Sequence, residues 1–309
     1  MIQPMQHIEK HHQIKEAGKS PAEHLMEITG LSKQKLKQAM QKGAVWVGEG
    51  NAVQRIRRAS KQLKPGEMLH LYYDENVLSE IPATPELISD EDVYSIWNKP
   101  YGMRSQGSKW GDHCTINRWV EQHLLPQRPA FIVHRLDRAA TGLIIIAHTR
   151  KMAAAFSQLF RERKIMKYYQ VSVHGNFPNN VQGVTLNSSI DDKPAVSHVH
   201  LISYDEITDV SILNVNIETG RKHQIRRHLA EAGFPVVGDR LYGLKEDASD
   251  LALMSCKLEF ECPAGGGIKQ YALTSAIKKG DGCKTPSGTS KTNPDQNQTC
   301  EENSSTDGI

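Results

Sequence analysis

The unbroken apolar run Leu143-Ile144-Ile145-Ile146-Ala147 constrains this chain more than any other stretch. A run of branched apolar residues with no polar alternation forms a strand covered on both faces. A shorter run, Phe131-Ile132-Val133, precedes it, and His134-Arg135-Leu136-Asp137 lies between the two. An acid and a cation are thereby set in a short loop between two buried strands, the rigid mounting that catalysis requires. Taken alone, the loop reads equally well as a surface Arg–Asp pair at a strand end.

The remainder of the chain separates these readings. At 309 residues, with 38% hydrophobic and 24% charged content, it has the composition of an ordinary globular protein with ample material for a core. No apolar stretch approaches the roughly 18 residues of a membrane span, and Met1 to Lys15 is too polar for a secretory signal. The five cysteines form no CxxC pair and no disulfide framework, which predicts a reducing, cytoplasmic setting. The net charge of +3 is unevenly placed. Residues 31–70 hold nine basic residues against Glu49 and Glu67, a net +7, whereas the segment from Asp281 holds five acids against Lys284 and Lys291, a net −3. The basic segment points to a polyanion.

Residues 1–19 read as an unstructured leader. Ser20-Pro21-Ala22-Glu23 is a capping box with proline at the first helical position, and Ser32 caps a second helix over Lys33–Lys42 that Gly43 ends. Val45–Val47 and Met68–Tyr73 read as strands. Residues 20–73 therefore form a small α/β module, with Lys33, Lys35 and Lys37 on the polar side of its second helix. Residues 74–92, acidic with Pro82 and Pro85, read as a linker. A second domain covers 93–278, and the polar segment 279–309 reads as disordered. Strands outnumber helices in this second domain and several are joined by short turns. An α+β fold with a mixed, largely antiparallel sheet is expected rather than a doubly wound parallel one.

Four segments of the second domain are costly to explain as structure alone: Asn98-Lys99-Pro100-Tyr101-Gly102, His134-Arg135-Leu136-Asp137, Lys167-Tyr168-Tyr169, and Thr219-Gly220-Arg221-Lys222-His223-Gln224-Ile225-Arg226-Arg227-His228-Leu229, followed by Gly238-Asp239-x-x-Tyr242-Gly243. In order and wording they resemble the RluA-type pseudouridine synthases, which isomerise uridine in RNA to its C-glycoside. The likeness extends over essentially all of 93–278, with Ala140-Thr141 where that family commonly has Thr-Ser. The N-terminal pattern LSKQKLKQAMQKGAVWV…LKPGEMLHL resembles the small RNA-binding module shared by a small-subunit ribosomal protein, tyrosyl-tRNA synthetases and many pseudouridine synthases. Glu23-His24-Leu25 stands where such modules usually open on Arg-Leu-Asp.

The resemblance implies that Asp137 is the essential carboxylate, attacking the sugar or removing a ribose proton, and that Arg226 is its partner. It implies that Tyr169 contacts the target base and assists proton transfer at C5. Arg135 fills the space of the flipped nucleotide or grips its phosphates, since extruding a base costs a few kcal/mol that backbone contacts can offset. His134, Lys99 and Arg221 are further candidates for substrate contact, as are Lys33, Lys35 and Lys37. The resemblance implies no small-molecule cofactor. The 14 histidines suggest no metal centre: His223 and His228 are five apart and do not share a helix face, and His198 and His200 lack an evident third ligand. The expected partner is RNA, with ribosomal RNA favoured over transfer RNA because of the N-terminal module. The alternatives are the same reaction on transfer RNA and a non-catalytic RNA-binding or ribosome-assembly factor.

Overall fold

The structure, a computed structural model, describes residues 6–273. The segment 279–309, read as disordered, lies outside the described residues, as do residues 1–5. In chain order the first part comprises β1 (His7–Gln13), α1 (Pro21–Thr29), α2 (Lys33–Gln41), β2 (Val45–Val47), β3 (Gln54–Arg55), β4 (Met68–Asp74) and α3 (Glu75–Ser79). The second part comprises β5 (Glu86–Asp90), β6 (Tyr94–Lys99), α4 (Ile116–His123), β7 (Phe131–Ile132), β8 (Thr141–Ala147), α5 (Arg150–Arg161), β9 (Met166–His174), β10 (Val184–Leu186), β11 (Ser197–Asp205), β12 (Val210–Ile217), α6 (Gln224–Glu231), β13 (Leu253–Glu261) and β14 (Ile268–Ala272). No helix among the described residues is long and apolar enough to cross a membrane.

Local chemistry sets the N-terminal helices. Ser20 accepts from the Glu23 N–H while the Glu23 carboxylate takes the Ser20 N–H, the reciprocal box read from sequence. Ser32 caps α2 through the Lys35 N–H. Leu36, Ala39 and Met40 of α2 join Val45, Val47, Leu69 and Leu71 in one core, so the helices cover a single face of the sheet β1-β4-β2-β3. Two expectations are corrected here. Residues 7–13 are not an unstructured leader, because β1 pairs with β4 over its full length, from His7↔Asp74 to Gln13↔Met68. Residues 74–92 are not a bare linker either. Asp74 caps α3 through the N–H groups of Asn76 and Val77, and β5 pairs with the edge of β6.

The second sheet runs β10-β11-β12-β9-β13-β8-β6-β5, with β14 on β13 and β7 on β8. Only β13 and β8 pair in parallel among these strands. The sheet is mixed and mostly antiparallel, and the fold is α+β. Ile144 and Ile146 enter a core with Val120, Val171, Val215, Ile225 and Leu229, while Leu143 and Ile145 enter another with Phe156, Leu258 and Phe260. The central strand β8 is thus buried on both faces, which is the physical content of its apolar run. At its start, Gly142 has φ +104, and a Cβ there would collide with the Ser255 carbonyl of the parallel neighbour. Glycine is what lets β8 enter the sheet directly after the 134–138 loop.

Candidate active site

Asp137 sits in the turn before β8, its carbonyl accepting the Ala140 N–H at 3.2 Å. The backbone just ahead of it is clamped by Ser105, whose hydroxyl donates to the Leu136 carbonyl (2.8 Å) and accepts from the Leu136 N–H (3.0 Å). The turn closes through backbone and buried Ala140, so it needs no hydroxyl at that position.

The partner of the carboxylate comes from α6. Each residue of its segment has a separate task. Ile225 and Leu229 fill the core. Gln224 receives the Thr219 hydroxyl and the Arg221 N–H and donates to the Val196 carbonyl, fixing the turn into the helix. His228 is buried between the Ser197 hydroxyl and the Ser188 carbonyl. Arg226 faces the loop, donating from Nη1 to Asp137 Oδ2 at 3.1 Å. Its other edge donates to Asp239, Nε to Oδ2 at 2.7 Å and Nη2 to Oδ1 at 2.6 Å. A two-pronged bond of this kind fixes the guanidinium plane as well as its position.

Burial alone would raise the Asp239 carboxyl, but Arg226 and the N–H groups of Leu241 and Tyr242 hold it below the ordinary range. Burial works against the Arg226 charge too, and Asp239 and Asp137 more than offset it, leaving the guanidinium above its ordinary value. Asp239 is therefore a fixed anion that aims Arg226 at Asp137. His223 completes the surroundings: it sits at φ +55 ahead of α6, with Nε2 3.8 Å from Asp137 Oδ1 and Nδ1 3.1 Å from the Tyr242 hydroxyl. Sequence reasoning assigned no role to Asp239, Ser105 or His223. Asp239 had a signal, since it lies in the Gly238-Asp239-x-x-Tyr242-Gly243 run. Ser105 had none.

Asp137, Tyr169 and Arg135 line a groove of about 1530 Å³, together with His134, Lys167 and Arg221. Arg226 lines a second cavity of about 470 Å³ that shares Asp137, Arg138 and His223 with the groove. Burial, and then the Asp137 charge, push the Tyr169 hydroxyl upward, so it stays a neutral phenol. Arg135 is exposed and has no ion pair or hydrogen-bond partner among the described residues. Arg221 donates from Nε to the Pro194 carbonyl at 3.1 Å. Lys167, of the Lys167-Tyr168-Tyr169 run, is buried in the groove wall, and burial followed by the Arg163 charge lowers its ammonium.

Other candidates are placed differently. Lys99 is fully buried, and its ammonium donates to the carbonyls of Met103 (2.9 Å), Pro100 (3.0 Å) and Arg138 (3.4 Å). It ties its own turn to the 134–138 loop and, with no exposed surface, cannot touch an RNA strand, which corrects its assignment to substrate contact. Burial lowers it to about 8, against the opposing pull of Asp137. His134 lines the groove, but its Nε2 accepts the Ile145 N–H at 2.9 Å and its ring stacks on Phe160 at 4.6 Å. Burial and then Lys167 lower it to about 3, so the ring is neutral, with its proton on Nδ1. Lys33 pairs with Glu23 at 2.9 Å and Lys35 with Glu75 at 3.3 Å, both in the open. None of Lys33, Lys35 and Lys37 lines the groove.

The site thus sets a carboxylate held by a fixed arginine in the wall of a cation-lined groove that also carries a neutral phenol. Residues 93–231 match the family described as RNA pseudouridylate synthase. A protein of Aquifex aeolicus named as an uncharacterized RNA pseudouridine synthase is 28% identical over 73% of this chain and 77% of its own length. The ribosomal large subunit pseudouridine synthase C of Buchnera aphidicola is 29% identical over 61% of this chain and 60% of its own length. The structure of human RNA pseudouridylate synthase domain containing 1 shares the fold, with a TM-score of 0.52 at 20% identity over 63% of this chain and 86% of its own. Residues 93–231 thus carry the domain of the RNA pseudouridine synthases, isomerases that convert uridine in RNA to pseudouridine.

Proposed function

We propose that this protein isomerises a uridine of ribosomal RNA in the cytoplasm, with Asp137 as the catalytic carboxylate. The observation that carries this reading is the Asp239–Arg226–Asp137 chain, which ends at a carboxylate in the wall of a cation-lined groove. The reaction breaks the N1–C1′ bond, forms C5–C1′, and moves the C5 proton, with N1 protonated in the product. One carboxylate suffices, either by attacking C1′ or by removing a ribose proton, provided water is excluded. Arg226 fixes that carboxylate through its 3.1 Å bond. Tyr169, a buried phenol on the same groove, contacts the base and assists proton transfer at C5. Arg135, unpaired at the rim, occupies the space of the extruded nucleotide or holds its phosphates, while Arg221 and neutral His134 offer further contacts. Ribosomal RNA is favoured by the relative named as a large-subunit enzyme.

Mapping pseudouridines in total RNA from a deletion strain, complemented by wild type or Asp137→Asn, tests both parts. Loss of a ribosomal site that only wild type restores is expected. Loss of a transfer-RNA site instead would move the target. Restoration by Asp137→Asn would overturn the catalytic assignment.

A further inference from the structure

The helices of the N-terminal module cover one face of its sheet, and the other face carries rings. Along one cross-strand line, His11 faces His70, His70 faces Trp46, and Trp46 faces Arg55. The Arg55 guanidinium lies 4.0 Å over the Trp46 ring. Tyr72, two residues along β4 from His70, stands on the same face. Trp110 lies 5.7 Å from it, with the Lys109 ammonium 4.6 Å above the phenol. His7 extends the patch, 4.2 Å from Trp110. The acids that meet this patch are each paired: Glu9 with Lys109 at 2.9 Å, Asp74 with His7 at 3.2 Å, and the buried Asp112 with Arg55 at 3.4 Å.

Trp46, Arg55 and Lys109 also line the groove that ends at Asp137 and Tyr169. The ring-bearing face is therefore continuous with the active site, whereas the lysines of α2 stand on the far side of the layer, beyond the core that α2 buries. Arg135, Arg161, Arg163 and Lys222 line the same groove. Aromatic and guanidinium planes interleaved with cations are what unpaired bases and their phosphates bind, and a duplex, whose bases are already stacked, cannot use them.

We propose that a single-stranded stretch of the substrate RNA, flanking the target uridine, runs along this groove and stacks its bases on the outer face of the N-terminal sheet. It would be held by His70, Tyr72, Trp110 and the Arg55–Trp46 pair rather than by Lys33, Lys35 and Lys37. The proposal rests on the reading of the Asp137 groove as the RNA site.

The test uses the full chain and a single-stranded RNA of roughly 16 nucleotides, the upper site size of a stacking platform, with 4-thiouridine at successive positions. Photo-crosslinks from the flanking positions should map to peptides of β4 and residues 105–112. By fluorescence anisotropy, Tyr72→Leu should weaken binding about tenfold and Tyr72→Phe should restore it. Reversing Lys33, Lys35 and Lys37 together to Glu should change it by less than about twofold. Crosslinks on α2, with affinity lost in the triple variant and kept in Tyr72→Leu, would overturn the proposal. Crosslinks confined to the Asp137 end would overturn it too, while leaving the proposed function standing. Neither readout depends on isomerisation, so absence of pseudouridine would count against the proposed function alone.

Discussion

Arg226 and Lys33 each pair with a carboxylate at nearly the same distance, 2.6 Å to Asp239 and 2.9 Å to Glu23. The first pair has side chains 7% and 0% exposed, the second 47% and 38%. In the open, water competes for both ions and the pair contributes little. Inside, neither ion has water to fall back on, so each depends wholly on the other and on neighbouring N–H groups. The catalytic domain spends its charges fixing one geometry, while the α2 surface keeps its charges solvated and exchangeable. Charge density by itself therefore says little about where this protein does its work.

The largest effect expected from this contrast is at Asp137. Asp137→Asn preserves shape and removes the nucleophile or base, so pseudouridine formation in vitro should fall by at least roughly 10³-fold. Activity within tenfold of wild type would show that the buried chain of charges is structural. Next comes Asp239→Ala, which removes both bonds that hold the guanidinium edge of Arg226. Unfolding in urea should register a loss of about 3 kcal/mol, the usual consequence of leaving a buried ion without its partner. Turnover should fall together with stability. A midpoint shift no greater than that of a surface substitution would erase the difference between the two pairs.

Much of the catalytic domain was legible because its constraints are local. The run Leu143–Ala147 announces a doubly buried strand, and the segment from Thr219 to Leu229 encodes an entry turn, a core face and a site face around one helix. The unread elements lack such signals. In β1, His-Ile-Glu-Lys-His-His-Gln offers a single aliphatic residue, and its strand identity comes from pairing with β4 rather than from alternation. In β5, an edge strand follows Pro82 and Pro85 and buries little. Lys99 was misread for a related reason. A lysine beside a Pro-Gly turn is ordinarily solvated, but here its own turn folds the carbonyls of Pro100 and Met103 around it and the 134–138 loop adds that of Arg138. Its linkage follows the depressed-pKa pattern, with any pH dependence confined between about 8 and the ordinary lysine value.

A smaller effect distinguishes the two regions by acid. His134 titrates near 3 in the fold and near 6.5 when unfolded. The unfolded chain therefore binds the extra proton across that window, and the stability His134 contributes is present above about 6.5 and lost as pH falls toward 3. Allowing for solvent at the groove, the loss is on the order of 2 kcal/mol. A ring that remains neutral at pH 5, followed by nitrogen chemical shifts, is the expected observation. A midpoint near 6.5 would mean that the Ile145 N–H bond does not hold the ring.

The smallest effect belongs to the α2 surface. Lys33→Ala removes a pair whose members are both about half exposed, together with the side-chain ordering that the pair requires, so the two contributions nearly cancel. Glu23 keeps its reciprocal bonds with Ser20, which cap α1 without help from the lysine. The urea midpoint should therefore shift by less than about 0.5 kcal/mol equivalent, and added salt, which screens exposed pairs, should remove even that. A loss above 1 kcal/mol that persists in salt would show that α2 uses its charges as Arg226 and Asp239 do.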